Sequence, residues 1–302
     1  MKKDLSKAAN RQEGSHDRQH EHYTLRLPSG RDIPVLGQGT WRMGEDRAKR
    51  GEELAALREG LDLGLTLIDT AEMYGEGEAE RLVGEAIAGR RDEVFLVSKV
   101  YPHHATLSGV PASCRRSLQR LGTDYLDLYL LHWRGAVPVA ETLAAFQALK
   151  SAGAIRDYGV SNFDLNDLVE ALDLPGGEGI VTNQVLYNLA QRGIEWDLLP
   201  WCHDRGIPIM AYSPVGHASP EQRAMFTNPS LRQIAAEHKA TPAQVALAWL
   251  LHQGTVAVPK ASNAEHVRQN RAALDLCLTK HDLKELDRAF PPPSRKVPLA
   301  MR

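Results

Sequence analysis

The sequence predicts an α/β protein that folds as one closed (β/α)8 barrel. Eight short apolar runs alternate with amphipathic segments, and the composition does not change along the way. Several runs are continuously apolar, which is typical of parallel strands buried on both faces. Eight strand–helix repeats in succession favour a barrel of parallel strands. The predicted strands lie at 35–36, 65–69, 94–100, 125–132, 155–160, 180–187, 207–213 and 255–260.

The segments between the runs have the spacing of helices packed on a sheet. Residues 79–87, for example, are apolar at i, i+3, i+4, i+7 and i+8. Thr241, with Pro242 and Gln244 after it, predicts an N-cap, a first-turn proline and a capping box. Ser262, with Glu265 three residues later, predicts a second helix start of the same kind.

Further elements are expected at the two ends of the barrel. An N-terminal hairpin is expected before the first barrel strand. Extra helices are expected near 231–238 and over 283–290, followed by a proline-rich tail. A doubly wound open sheet is the alternative arrangement, but it usually carries GxGxxG after its first strand. Residues 37–41 read GQGTW instead, so the barrel is preferred.

The chain is expected to divide into a leader and a single domain. Residues 1–22 are strongly polar and contain no apolar stretch, which predicts a disordered leader and not a secretory signal. Residues 23–302 are expected to form the barrel domain with its C-terminal tail.

The composition narrows the class of protein. The formal net charge of -2 gives no sign of a nucleic-acid or membrane-surface partner. No apolar run approaches the roughly 18 residues that span a bilayer. The three cysteines, Cys114, Cys202 and Cys277, show no CxxC spacing, as expected of free thiols in a reducing compartment. We therefore expect a cytoplasmic protein. A monomer or weak oligomer is also expected.

Polar side chains stand where the predicted strands end. Asp69 ends the second run with Tyr74 five residues later, Lys99 lies near the end of the third, and His132 ends the fourth. In a barrel these ends share one face, where catalytic sites lie. Each group would be costly to bury alone. An Asp69–Lys99 ion pair that only closes the barrel mouth is the alternative, but all four together favour a catalytic site.

Eight short motifs, in their order along the chain, resemble those of the aldo-keto reductases. They are GQGTW (37–41), DTAEMYG (69–75), VSKV (97–100), LLHW (130–133), GVSN (159–162), NQVLYN (183–188), AYSP (211–214) and VPK (258–260). The likeness extends from about Tyr23 to Pro292 and is strongest to bacterial reductases of methylglyoxal and related small carbonyls, the diketogluconate type. It implies a (β/α)8 barrel that binds a nicotinamide dinucleotide without a Rossmann domain.

The family's catalytic tetrad corresponds to Asp69, Tyr74, Lys99 and His132. Tyr74 would be the proton donor, and a nearby ammonium is expected to lower the pKa of its phenol. Asp69 would hold Lys99, and His132 would orient the carbonyl oxygen. The resemblance also implies a set of cofactor-binding residues: Gly39, Thr40, Trp41, Ser161, Asn162, Gln184, Tyr212, Ser213, Pro214, Val215, Lys260, Ala261, Ser262, His266, Gln269 and Asn270.

Within that set, the resemblance assigns each motif to a different part of the cofactor. Ser161, Asn162 and Gln184 would hold the carboxamide, and Tyr212 would stack on the nicotinamide. The segment 213–215 would cover the pyrophosphate. A lysine beside a capped helix start at 260–262 is also a suitable anion site on physical grounds.

The adenosine end departs from the family pattern. His266 stands where an arginine often reaches the 2′-phosphate, and Gln269 stands where a glutamate often contacts adenine. NADPH is the expected cofactor, with NADH as a weaker alternative.

Three aromatic residues near the barrel mouth, Trp41, Tyr101 and Trp133, are expected to wall the substrate pocket. Such a wall suits small dicarbonyls such as methylglyoxal and aromatic aldehydes. His103 and His104 have no partners at metal-ligand spacing, so no metal site is expected. A nicotinamide-binding regulatory or scaffold subunit with little turnover is the alternative function.

Overall fold

The computed structural model describes residues 23–215 and 220–301 and has the predicted barrel architecture. Eight parallel strands are hydrogen-bonded in chain order. They are β3 (Gly37–Gly39), β4 (Leu67–Asp69), β5 (Phe95–Val100), β6 (Leu126–Leu131), β7 (Ile155–Ser161), β8 (Ile180–Leu186), β9 (Ile209–Tyr212) and β10 (Val256–Val258). The barrel closes between its first and last strands, where the Ala257 amide donates to the Val35 carbonyl at 2.8 Å and the Gly39 amide donates to the Pro259 carbonyl at 3.0 Å.

One helix follows each barrel strand and packs on its outside. These crossover helices are α1 (Arg50–Asp62), α2 (Glu78–Ala86), α3 (Gly109–Leu121), α4 (Val139–Ser151), α5 (Leu165–Leu172), α6 (Leu198–Asp204), α9 (Pro242–His252) and α10 (Ala264–Ala272). The interval before β10 holds two extra helices, α7 (Pro220–Thr227) and α8 (Pro229–Glu237), and α11 (Lys280–Ala289) precedes the tail. The predicted helices near 231–238 and 283–290 are therefore confirmed, whereas α7 was not predicted. No helix in these described ranges is long and apolar enough to cross a membrane.

The N-terminal hairpin closes the end of the barrel opposite to the carboxyl ends of its strands. Its strands β1 (Thr24–Arg26) and β2 (Asp32–Pro34) pair antiparallel. Leu27 and Ile33 are fully buried against the inward-facing residues of the barrel strands. Arg31 binds two buried carboxylates, Asp127 at 2.6 Å and Asp157 at 3.3 Å. The hairpin therefore seals this end with both apolar and ionic contacts, and the opposite end is left for a site.

Two local predictions were wrong in position. The first strand is Gly37–Gly39 and not residues 35–36. The apolar run lies just before the strand, and the strand has glycine at the two positions where neighbouring strands approach closely. A Cβ at Gly37 would lie 2.5 Å from the Leu67 side chain, and one at Gly39 would lie 2.7 Å from the Val258 carbonyl oxygen. The N-cap of α10 is Asn263 and not Ser262, since the Asn263 side chain accepts from the His266 amide at 2.9 Å. Asparagine is at least as good an N-cap as serine.

The capping box predicted at α9 is confirmed. The Thr241 hydroxyl accepts from the Gln244 amide at 3.3 Å, and the Gln244 side chain accepts from the Thr241 amide at 2.7 Å. The predicted leader, residues 1–22, lies outside the described residues.

Candidate active site

Three of the candidate catalytic side chains, those of Asp69, Lys99 and His132, lie at inward-facing positions at the carboxyl ends of β4, β5 and β6. Along a strand, side chains two residues apart point the same way. Asp69 therefore follows Leu67, Lys99 follows Val97, and His132 follows Leu130, and these three leucine and valine side chains belong to the core inside the barrel. These inward-facing rows become polar only at the carboxyl ends of the strands. The fold thus brings an acid, an amine and an imidazole to one point.

Lys99 lies at the centre of the site. Its ammonium donates to the Asp69 carboxylate at 2.8 Å, to the Thr70 carbonyl at 2.9 Å and to the Tyr74 hydroxyl at 3.4 Å. The side chain is fully buried, and three acceptors match its three N–H groups. Burial lowers the pKa of Lys99, and the Asp69 carboxylate opposes that effect. Pairing with Asp69 is therefore what allows the buried Lys99 side chain to keep its charge.

Tyr74 is carried by a tight loop between β4 and α2. The loop turns through left-handed backbone at Gly75, Glu76 and Gly77, with φ values of 55°, 55° and 94°. A Cβ at Gly77 would lie 2.5 Å from the Arg120 side chain, so the loop requires glycine there. This turn brings the phenol of Tyr74 back over the Lys99 ammonium.

The electrostatics of Tyr74 differ from the expectation. Burial, and after it the Asp69 carboxylate, raise the pKa of the phenol well above 10.0. We expected the Lys99 ammonium to lower it. That expectation was wrong for the free protein, because the ammonium is already paired with Asp69 and the phenol is shielded from water. Tyr74 is therefore a firmly protonated phenol.

His132 is held as a neutral imidazole. Burial, and after it the Lys99 charge, lower its pKa well below 6.5. Its Nδ1 is buried and has no hydrogen-bond partner, so the other ring nitrogen, Nε2, is the one on the cavity side. A neutral ring carries one N–H, and Nε2 is where that donor can find a partner. The ring meets Tyr74 edge-on, with centroids 5.7 Å apart.

A chain of hydrogen bonds surrounds these groups. Gln184 donates to the second Asp69 oxygen at 2.8 Å. The Asn162 side chain donates to the His132 carbonyl at 3.1 Å and accepts from the Tyr212 hydroxyl at 2.9 Å. The Ser161 hydroxyl donates to the Gln184 carbonyl at 2.8 Å. Residues from β4, β6, β7, β8 and β9 are thereby held together, including the three predicted to hold a carboxamide.

A cavity of about 530 Å³ opens above this point. It brings together most of the predicted site residues: Gly39, Thr40, Trp41, Asp69, Tyr74, His132, Trp133, Ser161, Asn162, Gln184, Tyr212, Ser213, Pro214, Val215, Lys260, His266, Gln269 and Asn270. Lys99 lies beneath it, in contact with Tyr74. Ala261, Ser262 and Tyr101 are not part of its lining.

Four lining residues were not predicted: Met73, Phe226, Ala243 and Val258. Met73 lies inside the DTAEMYG motif, and its 39% exposure marks it as a side chain directed outward from the loop. Val258 lies inside the VPK motif. Phe226 comes from α7, which the sequence did not reveal, and no local signal points to Ala243.

The outer end of the cavity is suited to an anion. Lys260 forms no ion pair within the described ranges, and burial lowers its pKa while Glu53 and Glu45 oppose this. The first turn of α10 begins beside it, and His266, Gln269 and Asn270 of that helix line the cavity. A cation next to a helix N-terminus binds phosphate well.

Aromatic rings form one side of the inner end. Trp133 lies 5.0 Å from His132 and packs edge-on against Tyr101 at 5.1 Å, measured between ring centroids. Tyr101 stacks on His103 at 4.7 Å and so supports Trp133 from behind. His104 binds Glu72 at 3.0 Å. Among the described residues there is no group of three His, Cys, Asp or Glu side chains that could hold a metal ion.

One curated relative and two solved structures resemble this chain along most of its length. Methylglyoxal reductase YeaE of Escherichia coli K12 is 52% identical over 270 residues, which cover 89% of this chain and 95% of that protein. A Klebsiella pneumoniae aldo/keto reductase solved with NADP and acetate is 50% identical, with a TM-score of 0.90 over 93% of this chain and 99% of that one. A K. pneumoniae aldo-keto reductase solved with NADPH has the same identity and TM-score, over 92% and 99%.

The family model described as the aldo/keto reductase family matches residues 35–290. This match covers the whole barrel, from the residues just before β3 to the end of α11. It includes every residue of the candidate site. The chain belongs to the aldo/keto reductase family.

Proposed function

We propose that this protein reduces small aldehydes and ketones to alcohols with NADPH, and that Tyr74 supplies the proton. The observation that carries the proposal is the arrangement at the inner end of the cavity. There a protonated phenol lies on a buried ammonium and next to a neutral imidazole. The relatives named above support the same activity: one is a methylglyoxal reductase, and two are reductases crystallised with NADP or NADPH.

The cavity fits an elongated dinucleotide. It runs from the catalytic groups to α10, and Lys260 lines its outer end. Glu53 and Glu45 favour the charge of Lys260, but neither forms an ion pair with it in the described chain. Lys260 and the first turn of α10 would hold the 2′-phosphate, and the segment 213–215 would hold the pyrophosphate. Tyr212 and the cluster of Ser161, Asn162 and Gln184 would hold the nicotinamide. When bound, NADPH supplies the hydride for the carbonyl carbon.

The chain's own residues supply the rest of the chemistry. The N–H on His132 Nε2 would donate to the carbonyl oxygen and fix it near the Tyr74 hydroxyl. Tyr74 then gives its proton to that oxygen as negative charge develops there. The charge left on the phenol oxygen develops beside the Lys99 ammonium, which already lies 3.4 Å away and needs no reorganisation.

The pocket favours small carbonyl compounds. Its inner wall is formed by Trp41 and Trp133, with Met73 and Phe226 as further apolar contacts. A mostly apolar wall has few groups to read substrate hydroxyls, so it should accept methylglyoxal and aromatic aldehydes and discriminate weakly between them. No comparison favours the alternative of a regulatory subunit with little turnover.

A cytoplasmic location and a monomeric or weakly oligomeric state are further parts of the proposal. All three cysteines are free, and Cys114 and Cys202 are buried. That is the usual state in a reducing compartment.

The function is tested by comparing the native protein with Tyr74→Phe. The native protein should oxidise NADPH in the presence of methylglyoxal or 4-nitrobenzaldehyde. The loss of NADPH absorbance measures this reaction. Tyr74→Phe should lower the rate about 10²- to 10⁴-fold because the proton donor is gone. NADPH affinity, from fluorescence titration, should stay near the native value. A variant that retains more than about a tenth of the activity would show that another group is the acid.

A second prediction concerns cofactor choice. Lys260→Met should weaken NADPH binding about ten- to a hundredfold, since a charge-assisted contact contributes about 1.5–3 kcal/mol. NADH binding, which lacks the 2′-phosphate, should change little. Isothermal titration with both cofactors measures this. Equal losses for NADPH and NADH would mean that Lys260 supports the fold instead of the phosphate.

A third prediction concerns pH. The pKa of Tyr74 is raised, so the acid keeps its proton to above pH 10.0, and the pKa of His132 is lowered, so the ring stays neutral below pH 6.5. Neither group changes state between these values. The pH profile of kcat/KM, which reports the ionisations of the free protein, should be flat from about pH 6.5 to about pH 9.5. Asp69 opposes the lowering of the Lys99 pKa, so the ammonium is expected to keep its proton over the same range. A decline with a midpoint between about pH 7 and 9 would contradict the states assigned to Tyr74, His132 or Lys99.

A further inference from the structure

Ser213 adopts an unusual backbone conformation at the edge of the cavity. Its φ is 48°, in the left-handed region that residues with a side chain seldom occupy. It directly follows β9, and it lines the cavity together with Pro214 and Val215. Such a conformation persists only when the surroundings hold it in place. The question is which contact does so.

The side chain of Asn188 makes that contact. Its Nδ2 donates to the Ser213 carbonyl oxygen at 3.0 Å. Its Oδ1 accepts from the Ala190 amide at 2.9 Å, which fixes the orientation of the side-chain amide. Asn188 is 4% exposed and does not line the cavity. It therefore acts on the cavity only through the backbone of Ser213.

Asn188 is itself held by a rigid loop after β8. Within the loop, the Gln191 amide donates to the Asn188 carbonyl at 2.9 Å. Arg192, which is largely buried, binds Glu195 at 2.7 Å and Asp287 of α11 at 2.8 Å. The Tyr187 hydroxyl also donates to Glu195, at 2.8 Å. The loop is thus tied to the C-terminal helix, and Asn188 has a fixed place from which to hold Ser213.

We propose that Asn188 is a positioning residue that holds Ser213 in its left-handed conformation and so preorganises the segment 213–215 for the cofactor's pyrophosphate. This inference rests on the proposed function, in which that segment contacts the pyrophosphate. Without Asn188, the segment would have to be ordered on binding, and affinity would fall accordingly.

The test uses two variants and two ligands. Asn188→Leu removes both side-chain hydrogen bonds and keeps the branched shape of the side chain. Asn188→Asp removes the donor to Ser213, keeps the acceptor for Ala190 and adds a negative charge. Asn188→Leu should weaken NADPH about five- to twentyfold, from the lost hydrogen bond to Ser213 and the ordering of the segment on binding. Asn188→Asp should weaken it at least as much, because its carboxylate also repels the Ser213 carbonyl oxygen. Binding of 2′-AMP, which reaches only Lys260 and α10, should stay within about twofold of the native value. Isothermal titration gives both affinities.

Thr182→Val is the matched control. Thr182 lies on β8, the strand that leads into this loop, and is also buried. Its hydroxyl donates to the Pro208 carbonyl at 2.7 Å, just before β9 and therefore at the opposite end of that strand from Ser213. Its loss should lower the melting temperature by an amount similar to that of the Asn188 variants, while NADPH affinity should not change.

The outcomes separate the inference from the proposed function. Unchanged NADPH affinity in both Asn188 variants would overturn the role of Asn188, and so would a parallel loss of NADPH and 2′-AMP, which would indicate general damage. Failure of the native protein to bind NADPH would instead overturn the proposed function.

Discussion

The buried ion pair between Lys99 and Asp69 is the interaction on which the site depends. An ammonium at this depth requires a countercharge and a full set of acceptors, and Asp69, Thr70 and Tyr74 provide them. The second oxygen of Asp69 accepts from Gln184 on β8, four strands away from β4 in the order of the eight-stranded barrel. One carboxylate therefore links opposite walls of the barrel at its open end. The position of the Tyr74 phenol follows from this link, since the phenol rests on the ammonium.

The same interaction explains the protonation states of the neighbouring groups. Asp69 satisfies the Lys99 charge, so the charge is not available to ionise Tyr74, and the phenol remains protonated. The Lys99 charge also disfavours a second cation, which together with burial keeps His132 neutral. A donor phenol and a donor imidazole are what a carbonyl oxygen needs as it gains negative charge. In the proposed reaction, the ammonium acts only as the proton leaves the phenol oxygen and negative charge develops there.

Much of this could be predicted from the sequence because the signals are local or periodic. The alternation of apolar runs and helical segments predicts the barrel, and the capping box at Thr241 predicts where α9 begins. The polar residues at the ends of the predicted strands place Asp69, Lys99 and His132 together. Other features depend on contacts between residues distant in the chain. Glycine is required at positions 37 and 39 by the close approach of Leu67 and Val258. The raised pKa of Tyr74 follows from burial that no short motif encodes. The bond from Asn188 to Ser213 spans 25 residues, and α7 carries Phe226 to the cavity without a sequence signal.

A buried ion pair seldom adds stability over an apolar pair of similar volume. We therefore propose that Asp69 and Lys99 serve the chemistry of the site and not the stability of the fold. The most direct measurement is a double-mutant cycle of the free energy of unfolding, with Asp69→Asn, Lys99→Met and the double variant. Each single variant should lose about 3–5 kcal/mol because one group is left buried without its partner, and the double variant should recover to within about 1 kcal/mol of the native protein. Losses that simply add in the double variant would contradict the account, because the two residues would then support the fold independently of each other.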